Sequence, residues 1–315
     1  MTFYIYAPSK SITGGQECLH QFSDSLRKNG KEVFMVYHPD LSSSIPEPYK
    51  NKYQVSKSLE IPEDKDENVI VLYESQFWRA HGFTRAKIVF WWLSVDNHFL
   101  GGRRMLPMKD YLRNNYSLKK ALEAGLTKWY YLFNRGEYVF HDVRKSEYWV
   151  NYNALHLYQS EYARQYLIEN GNNNSYKLRD YLNTSFSNMG LQRKNVILYN
   201  PKKGIETLNI IRKKLVNFKF IPIENMTYEA IGEMMNRSKI YVDFGNHPGR
   251  DKLPREAVLS GMYVITGRRG SAKNRLDVPV PYKFDDYNID FDKLHDLIVD
   301  VFNSFEERIS DMSAY

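Results

Sequence analysis

The stretch that most constrains the fold is residues 239–272, KIYVDFGNHPGRDKLPREAVLSGMYVITGRRGSA. Ile240, Tyr241 and Val242 form a β-branched and aromatic run of buried-strand type. Gly245, Pro248 and Gly249 interrupt it and predict a loop. With Pro254 as first helical residue, REAVLS predicts one or two helical turns ending at Gly261. MYVIT predicts a second buried strand and GRRGSA a second glycine-rich loop. In an open α/β sheet, ligands sit in loops beyond the carboxyl ends of strands. Amides from glycine loops and helix starts favour an anion there. Arg250, Lys252, Arg255, Arg268 and Arg269 strengthen the same preference.

The flanking chain extends this pattern. Strand 196–199, the loop Asn200-Pro201-Lys202-Lys203-Gly204, helix 204–217, strand 218–222 and helix 227–237 alternate as in a Rossmann-like unit. The amino-terminal half opens with strand 3–7, a loop at 11–15, helix 17–28 closed by Asn29-Gly30, and strand 32–37, which is a parallel βαβ unit. Gly14 and Gly15 either let backbone amides approach a phosphate or sugar, or only shape the turn. No full G-x-G-x-x-G is present, which disfavours a dinucleotide site. Strands are expected at 69–73 and 87–93, and the loop 94–98 follows the second. It places Asp96, Asn97 and His98 where they can bond sugar hydroxyls or handle a proton. A turn in which Asp96 and Asn97 bond their own backbone is the plainer reading. Further strands at 138–141 and 154–158, helix 160–170 and a polar loop at 172–175 lead to a boundary. The expected domains are 1–190 and 191–315, with a basic aromatic insertion at 101–150.

At 315 residues, with 43% hydrophobic and 26% charged residues, the chain holds one large or two ordinary globular domains. Its single cysteine, Cys18, forms no internal disulfide and is expected as a buried structural thiol in a cytoplasmic protein. No apolar run approaches the ~20 residues of a membrane span, and the first ten residues lack a signal-peptide pattern. The net charge of +7 favours anionic partners: nucleotides, nucleic acid or acidic lipid. Between 101 and 145, ten Lys or Arg face four acids around Trp129, Tyr130, Tyr131 and Phe133. That suits an anionic membrane or nucleic acid, and equally a helical insertion with a solvated basic face. From 285 to 311, nine acids accompany an apolar helical stripe of Leu294, Leu297, Ile298 and Val301.

The 239–272 stretch and the Asn200–Gly204 loop together resemble the donor site of retaining GT-B glycosyltransferases, the family with a Glu–seven residues–Glu motif. HPGRDKLPREA followed by GSA is closest to a subgroup associated with bacterial surface-polysaccharide synthesis. The likeness covers roughly 195–282 well and the first half in outline. It implies an α/β GT-B architecture, two Rossmann-like domains facing across a cleft. It also implies transfer of a sugar, with retention, from a nucleotide-sugar donor to a glycan or lipid-linked acceptor.

Residue by residue, Lys203 matches the family's phosphate-binding lysine, and Asn200 and Pro201 stand where an arginine is common. Glu256 matches the second glutamate and implies ribose binding, with helix capping as its structural alternative. Pro248 stands at the first glutamate's place, and Asp251 or Asp243 is the candidate substitute. The expected donor set is Gly14, Gly15, Lys203, Arg250, Asp251, Glu256, Gly270, Ser271 and Ala272. The expected catalytic set is Asp96, His98, Lys203 and Arg250, although a surface pair of Arg250 with Asp251 or Glu256 fits the spacing too. No metal or other cofactor is expected, because Asp64-x-Asp66 precedes its strand and Asp290-x-Asp292 opens the terminal helix. The expected location is cytoplasmic, extending to the inner face of the cell membrane, and nucleic acid is disfavoured as a partner. Two other readings remain: a catalytically silent GT-B-like subunit, motivated by Pro248, and a nucleic-acid-binding protein, motivated by the basic segment.

The basic aromatic segment is expected to carry the protein onto anionic vesicles. Co-sedimentation with acidic lipid, absent with neutral lipid, is the expected result; equal binding to both, or none to either, contradicts it.

Overall fold

A computed structural model describes residues 1–9, 12–38, 40–101 and 154–315. The basic aromatic segment beyond Gly101, including the strand expected at 138–141, lies outside the described residues. Contacts divide the chain into two compact units: Met1–Gln159 with Ala163–Asp180, and Ser160–Tyr162 with Tyr181–Tyr315.

The first unit is built on β1 (Thr2–Pro8), β2 (Glu32–His38), β3 (Asn68–Tyr73), β4 (Lys87–Trp92), β5 (Leu155–Tyr158) and β6 (Ser175–Lys177). These form one sheet in the order β2-β1-β3-β4-β5-β6. Every neighbouring pair is parallel. Parallel pairing needs a crossover between strands. Helix α1 (Gly14–Lys28) supplies the first, with Thr13 accepting from the Gln16 amide at 3.2 Å and Gly30, at φ 71°, closing its end. Its buried face, with Cys18 and Leu19, packs on Ile5, Met35, Val71 and Trp91. A short helix, α2 (Glu47–Lys50), brings the Tyr49 hydroxyl to the Thr13 carbonyl at 3.3 Å.

Two local expectations change here. Residues 94–98 begin a helix, α3 (Val95–Gly101), instead of a loop. The Ser94 hydroxyl accepts from the Asn97 amide at 3.1 Å, so a polar cluster that reads as a turn serves as a helix cap. Ser175, expected in the polar loop, starts β6, which is polar because it is an outer strand. Helix α4 (Glu161–Glu169) lies between β5 and β6 in sequence.

The second unit has a four-stranded parallel sheet of β7 (Lys194–Tyr199), β8 (Lys219–Pro222), β9 (Ser238–Asp243) and β11 (Tyr263–Thr266), ordered β11-β9-β7-β8. Past its carboxyl ends, the two-residue strands β10 (Asn246–His247) and β12 (Arg269–Gly270) pair with each other in parallel. Helices α5 (Ile205–Lys214), α6 (Tyr228–Asn236), α7 (Lys252–Leu259), α8 (Phe291–Asn303) and α9 (Phe305–Arg308) complete the unit. The α8 stripe of Leu294, Leu297, Ile298 and Val301 is buried in this unit's core. Helix α7 begins at Lys252, two residues before Pro254. Proline fits there because the first-turn amides of a helix have no intrahelical acceptor.

The loops after β7 and β9 touch backbone to backbone. Gly204 has φ 60°, and a Cβ built on it would lie 1.7 Å from the Phe244 carbonyl oxygen. Gly245 has φ 116°, and its Cβ would lie 2.7 Å from Gly204 Cα and N. Gly30 makes a useful contrast, with φ 71° and nothing within 4 Å. Alanine at 30 is therefore expected to cost only the left-handed strain of about 1–2 kcal/mol. Alanine at 204 must also displace the 244–245 backbone, so its loss is expected to exceed that of Gly30→Ala by ~2 kcal/mol or more. Urea melts of the two variants check the ranking; equal losses would contradict the close approach.

Candidate functional site

Beyond β7, Asn200 shapes the turn by accepting from the Lys202 amide at 3.0 Å through its side chain. Lys203 then points its ammonium at two carboxylates: it is hydrogen-bonded to Asp251 and lies 3.4 Å from Asp243 Oδ1. His247 is wholly buried beside them, with Nδ1 2.8 Å from Asp251 Oδ2 and Nε2 3.4 Å from the Asp243 carbonyl oxygen. The Tyr241 hydroxyl donates to Asp243 Oδ2 at 3.0 Å. One ammonium, two carboxylates, an imidazole and a phenol thus share a small volume at the carboxyl ends of β7 and β9.

The electrostatics follow from that packing. Burial works against the charged form of Lys203, but Asp243 and Asp251 outweigh it and hold the ammonium above its usual range. Burial likewise opposes the Asp251 carboxylate, and Lys203 and His247 outweigh it, holding Asp251 below the usual carboxylate range. Burial and then Asp243 push the Tyr241 phenol well up. The sign on stability follows by linkage. The Lys203 contribution is full below its unfolded value of 10.5 and lost as pH rises through the folded one. The Asp251 contribution is present above 3.8 and lost as pH falls through its folded value. Both operate together from roughly pH 4 to 10.

A third carboxylate ties the loops together. Asp286, buried, accepts from the Gly245 amide at 2.7 Å and the Arg268 amide at 2.9 Å. It comes so close that a Cβ on Gly267 would lie 2.3 Å from Asp286 Oδ2. Arg255 donates from Nε to the Asp251 carbonyl at 3.0 Å and from a terminal nitrogen to the Arg250 carbonyl at 3.2 Å, fixing the chain before α7. Lys283 does the same for residues 272–274, donating to the Ala272 carbonyl at 2.6 Å and the Asn274 carbonyl at 3.2 Å.

Of the residues expected at a donor site, the structure brings Lys203 and Asp251 into contact, with half-buried Arg250 adjoining in the same loop. Glu256 is buried as the fifth of the eight residues of α7, and Asp251, not Glu256, stands at the helix's cap position, so the capping alternative does not apply. Gly270, at φ 57°, is required by the β10–β12 pairing, since its Cβ would lie 2.0 Å from the His247 carbonyl oxygen. Ser271 and Ala272 are fully buried, and the Ser271 hydroxyl donates to the Gly249 carbonyl at 2.6 Å. His247, Tyr241 and Asp286 were not among the expected site residues. In the sequence nothing sets Asp286 apart from the other acids of 285–311.

In the first unit, Gly14 and Gly15, expected in the loop 11–15, instead form the first turn of α1, because Thr13 caps the helix three residues earlier than expected; neither is at positive φ. A Cβ on Gly15 would make only an ordinary 3.7 Å contact with Leu93 Cδ1. Asp96 and His98 lie on α3, Asp96 half-buried and His98 buried. His98 Nδ1 lies 2.8 Å from the Glu74 carbonyl oxygen, which selects the tautomer with the proton on Nδ1. Its ring centre lies 5.0 Å from that of Trp92 and 5.6 Å from that of Phe77. The Glu74 carboxyl accepts from the Leu93 amide at 3.1 Å, and burial pushes it up to about 8. Asp64 accepts from the amides of Thr84, Arg85 and Ala86, and Asp290 caps α8, which gives both acids structural roles. Among the described residues no group of three His, Cys, Asp or Glu side chains has metal-holding geometry. None of the described helices is long and apolar enough to cross a membrane.

No protein-family model matches the sequence, and no curated protein matches it at a significant level. Among solved structures, the chain is similar to HepE from Anabaena in complex with UDP-glucose, at TM-score 0.60 and 11% identity over 100% of this chain and 93% of that one. It is similar to a glycosyltransferase from Rickettsia africae at TM-score 0.60 and 12% identity, over 99% and 91% of the two chains. It is also similar to WaaG, a glycosyltransferase involved in lipopolysaccharide biosynthesis, at TM-score 0.57 and 8% identity, over 100% and 94%. Likeness at these identities establishes the fold: an α/β chain of two Rossmann-like units, the GT-B architecture.

Asp286→Ala removes the acceptor of two amides. It is expected to destabilise the protein by about 2–4 kcal/mol and to loosen both loops. Chemical denaturation measures the first effect and amide exchange at Gly245 and Arg268 the second; unchanged protection of both amides would contradict the tie.

Proposed function

We propose that the protein is a nucleotide-sugar-dependent glycosyltransferase of bacterial surface-polysaccharide synthesis, transferring with retention to a glycan or lipid-linked acceptor. The observation that carries this reading is the placement of Lys203. Its ammonium sits at the carboxyl end of β7, beside the backbone crossing of Gly204 and Gly245 and the cationic loop of Arg250. HepE, which has the same architecture, holds UDP-glucose, and WaaG acts in lipopolysaccharide biosynthesis; both favour this reading.

In this account the diphosphate of the donor takes the place of carboxylate oxygens at Lys203. Negative charge develops on the phosphate as the sugar leaves, and a preformed cation there stabilises it without reorganising. Arg250, through a planar fork of donors, adds to that stabilisation. Glu256 accepts from the ribose hydroxyls, and Asp251, already bonded to Lys203, takes the part of the glutamate that Pro248 replaces. Retention follows if the acceptor attacks from the face the phosphate leaves, with orientation in the bound state lowering the barrier and no protein nucleophile needed. Asp96 and His98 are the acceptor-side candidates. Gly270, Ser271 and Ala272 hold the donor loop in place. Gly15, where the fold has room for a Cβ, is left for close approach of a ligand to the α1 amides.

Incubation with a panel of nucleotide sugars and candidate acceptors is expected to release nucleoside diphosphate and a glycosylated product. Lys203→Ala and Glu256→Gln are each expected to weaken donor use by ~1.5–3 kcal/mol, about 10- to 150-fold, in protein that stays folded by circular dichroism. Wild-type rates in both variants would remove the site. Pro248 motivates a second reading, a catalytically silent nucleotide-sugar-binding subunit. Tight nucleotide binding without turnover of any donor would select it.

A further inference from the structure

The carboxyl edge of the first unit's sheet carries a cluster that the proposed donor site does not use. Tyr6 lies near the end of β1, His38 ends β2 and Tyr73 ends β3. The register sets Pro8 beside His38 and Ile5 beside Val71, so the three strands finish side by side. Tyr73 Oη and His38 Nε2 are 2.9 Å apart, with the two rings stacked at 5.8 Å and 21°. Arg79, in the 3₁₀ turn Phe77–Gly82 just beyond β3, sets its guanidinium carbon 5.3 Å from the Tyr6 ring centre. Its Nε donates to Gln76 Oε1 at 2.9 Å, which fixes the plane of the fork.

Among the described groups at this edge Arg79 supplies the positive charge, and Asp40, exposed two residues past His38, is turned to Ser42 and Ser43, whose groups donate to its carboxylate. Burial, and then the Arg79 charge, lower His38 to about 4, so the imidazole is neutral near pH 7. The same guanidinium acts on Tyr6 and Tyr73. Glu74, next to Tyr73 in sequence, is pushed up to about 8 by its burial and is mostly protonated at neutral pH. Half-buried Ser75, Gln76 and Tyr73 leave the edge partly open to solvent.

We propose that this edge binds an anionic sugar, a pyranose bearing a carboxylate or phosphate, as the acceptor. The inference rests on the transferase reading and adds the chemical class of the acceptor. Strand carboxyl ends are where an open parallel sheet places ligands. Tyr6 is buried and seats Arg79, while the half-buried rings of Tyr73 and His38 offer an apolar face to the C–H face of a pyranose. The Tyr73–His38 pair bonds hydroxyls, and a guanidinium in a fixed plane matches a planar carboxylate or two phosphate oxygens. A neutral glycan would use the rings and hydroxyl but leave the guanidinium without a counterpart from the ligand.

The test uses the full-length protein with oligogalacturonate against malto-oligosaccharide of equal length, and glucose 1-phosphate against glucose, followed by calorimetry and saturation-transfer NMR. At least one anionic probe is expected to bind roughly tenfold or more tightly than its neutral counterpart, and Arg79→Gln to remove that difference. Arg79→Lys keeps the charge without the fork and is expected to recover part of it. Lys213→Gln, exposed and in the other unit, is expected to change nothing, which separates a site from the effect of net charge. The galacturonate and phosphate arms identify which anion is read. Equal binding of charged and neutral sugars, or anionic binding unaltered in Arg79→Gln, overturns the proposal and leaves Arg79 as a brace between the 3₁₀ turn and β1. UDP binding is measured on the same samples. UDP bound without any anionic sugar sinks this inference alone, whereas failure to bind any nucleotide sinks the transferase reading beneath it.

Discussion

A lysine ammonium with 17% of its side chain exposed, facing two carboxylates, sets the terms for the second unit. Taking such a cation out of water is costly, and only close opposite charges make it tolerable. Asp243 and Asp251 provide them, from the end of β9 and the residue before α7. Those two positions converge only because the chain turns back between them through β10, and His247 fills the turn against both acids. The ion cluster and the loop path are therefore one construction, the turn through β10 setting both acids beside Lys203.

The glycines show how tightly that construction is drawn. Gly204 and Gly245 meet backbone to backbone, and Gly270 lies against the His247 carbonyl. Asp286 then bonds the amides of Gly245 and Arg268, joining the loops after β9 and β11. Side chains are excluded from these contacts, so the amides and the Lys203 ammonium are what the loops bring together. A diphosphate needs cations and amide donors at short range. The first unit solves a different problem at its strand ends, with rings, hydroxyls and the Arg79 guanidinium in place of glycine loops.

Much of the fold was legible because buried parallel strands are short unbroken apolar runs, as in Val69 to Leu72 or Tyr263 to Ile265. Glycine stops such as Gly30 and Gly171, both at positive φ, marked helix ends equally well. Residues 94–98 misled because serine and asparagine cap helices and form turns with the same hydrogen bonds. Pro254 misled by one half-turn, since proline is tolerated throughout a helix's first turn. At the site, Lys203, Arg250 and Asp251 were visible as charges crowded into glycine loops. Asp286 was not, because one acid among many in the 285–311 stretch carries no mark of the two amides it binds. His247 was hidden for a related reason: only the paired path of β10 and β12 buries it between Asp243 and Asp251.

The most direct test is a crystal structure of the protein with UDP-glucose or another bound nucleotide sugar. The Lys203 ammonium is expected to lie within hydrogen-bond distance of a phosphate oxygen, its bond to Asp251 exchanged or shared, and Glu256 to face the ribose. A nucleotide bound away from the ends of β7 and β9, with the Lys203–Asp251 pair intact, would contradict the account.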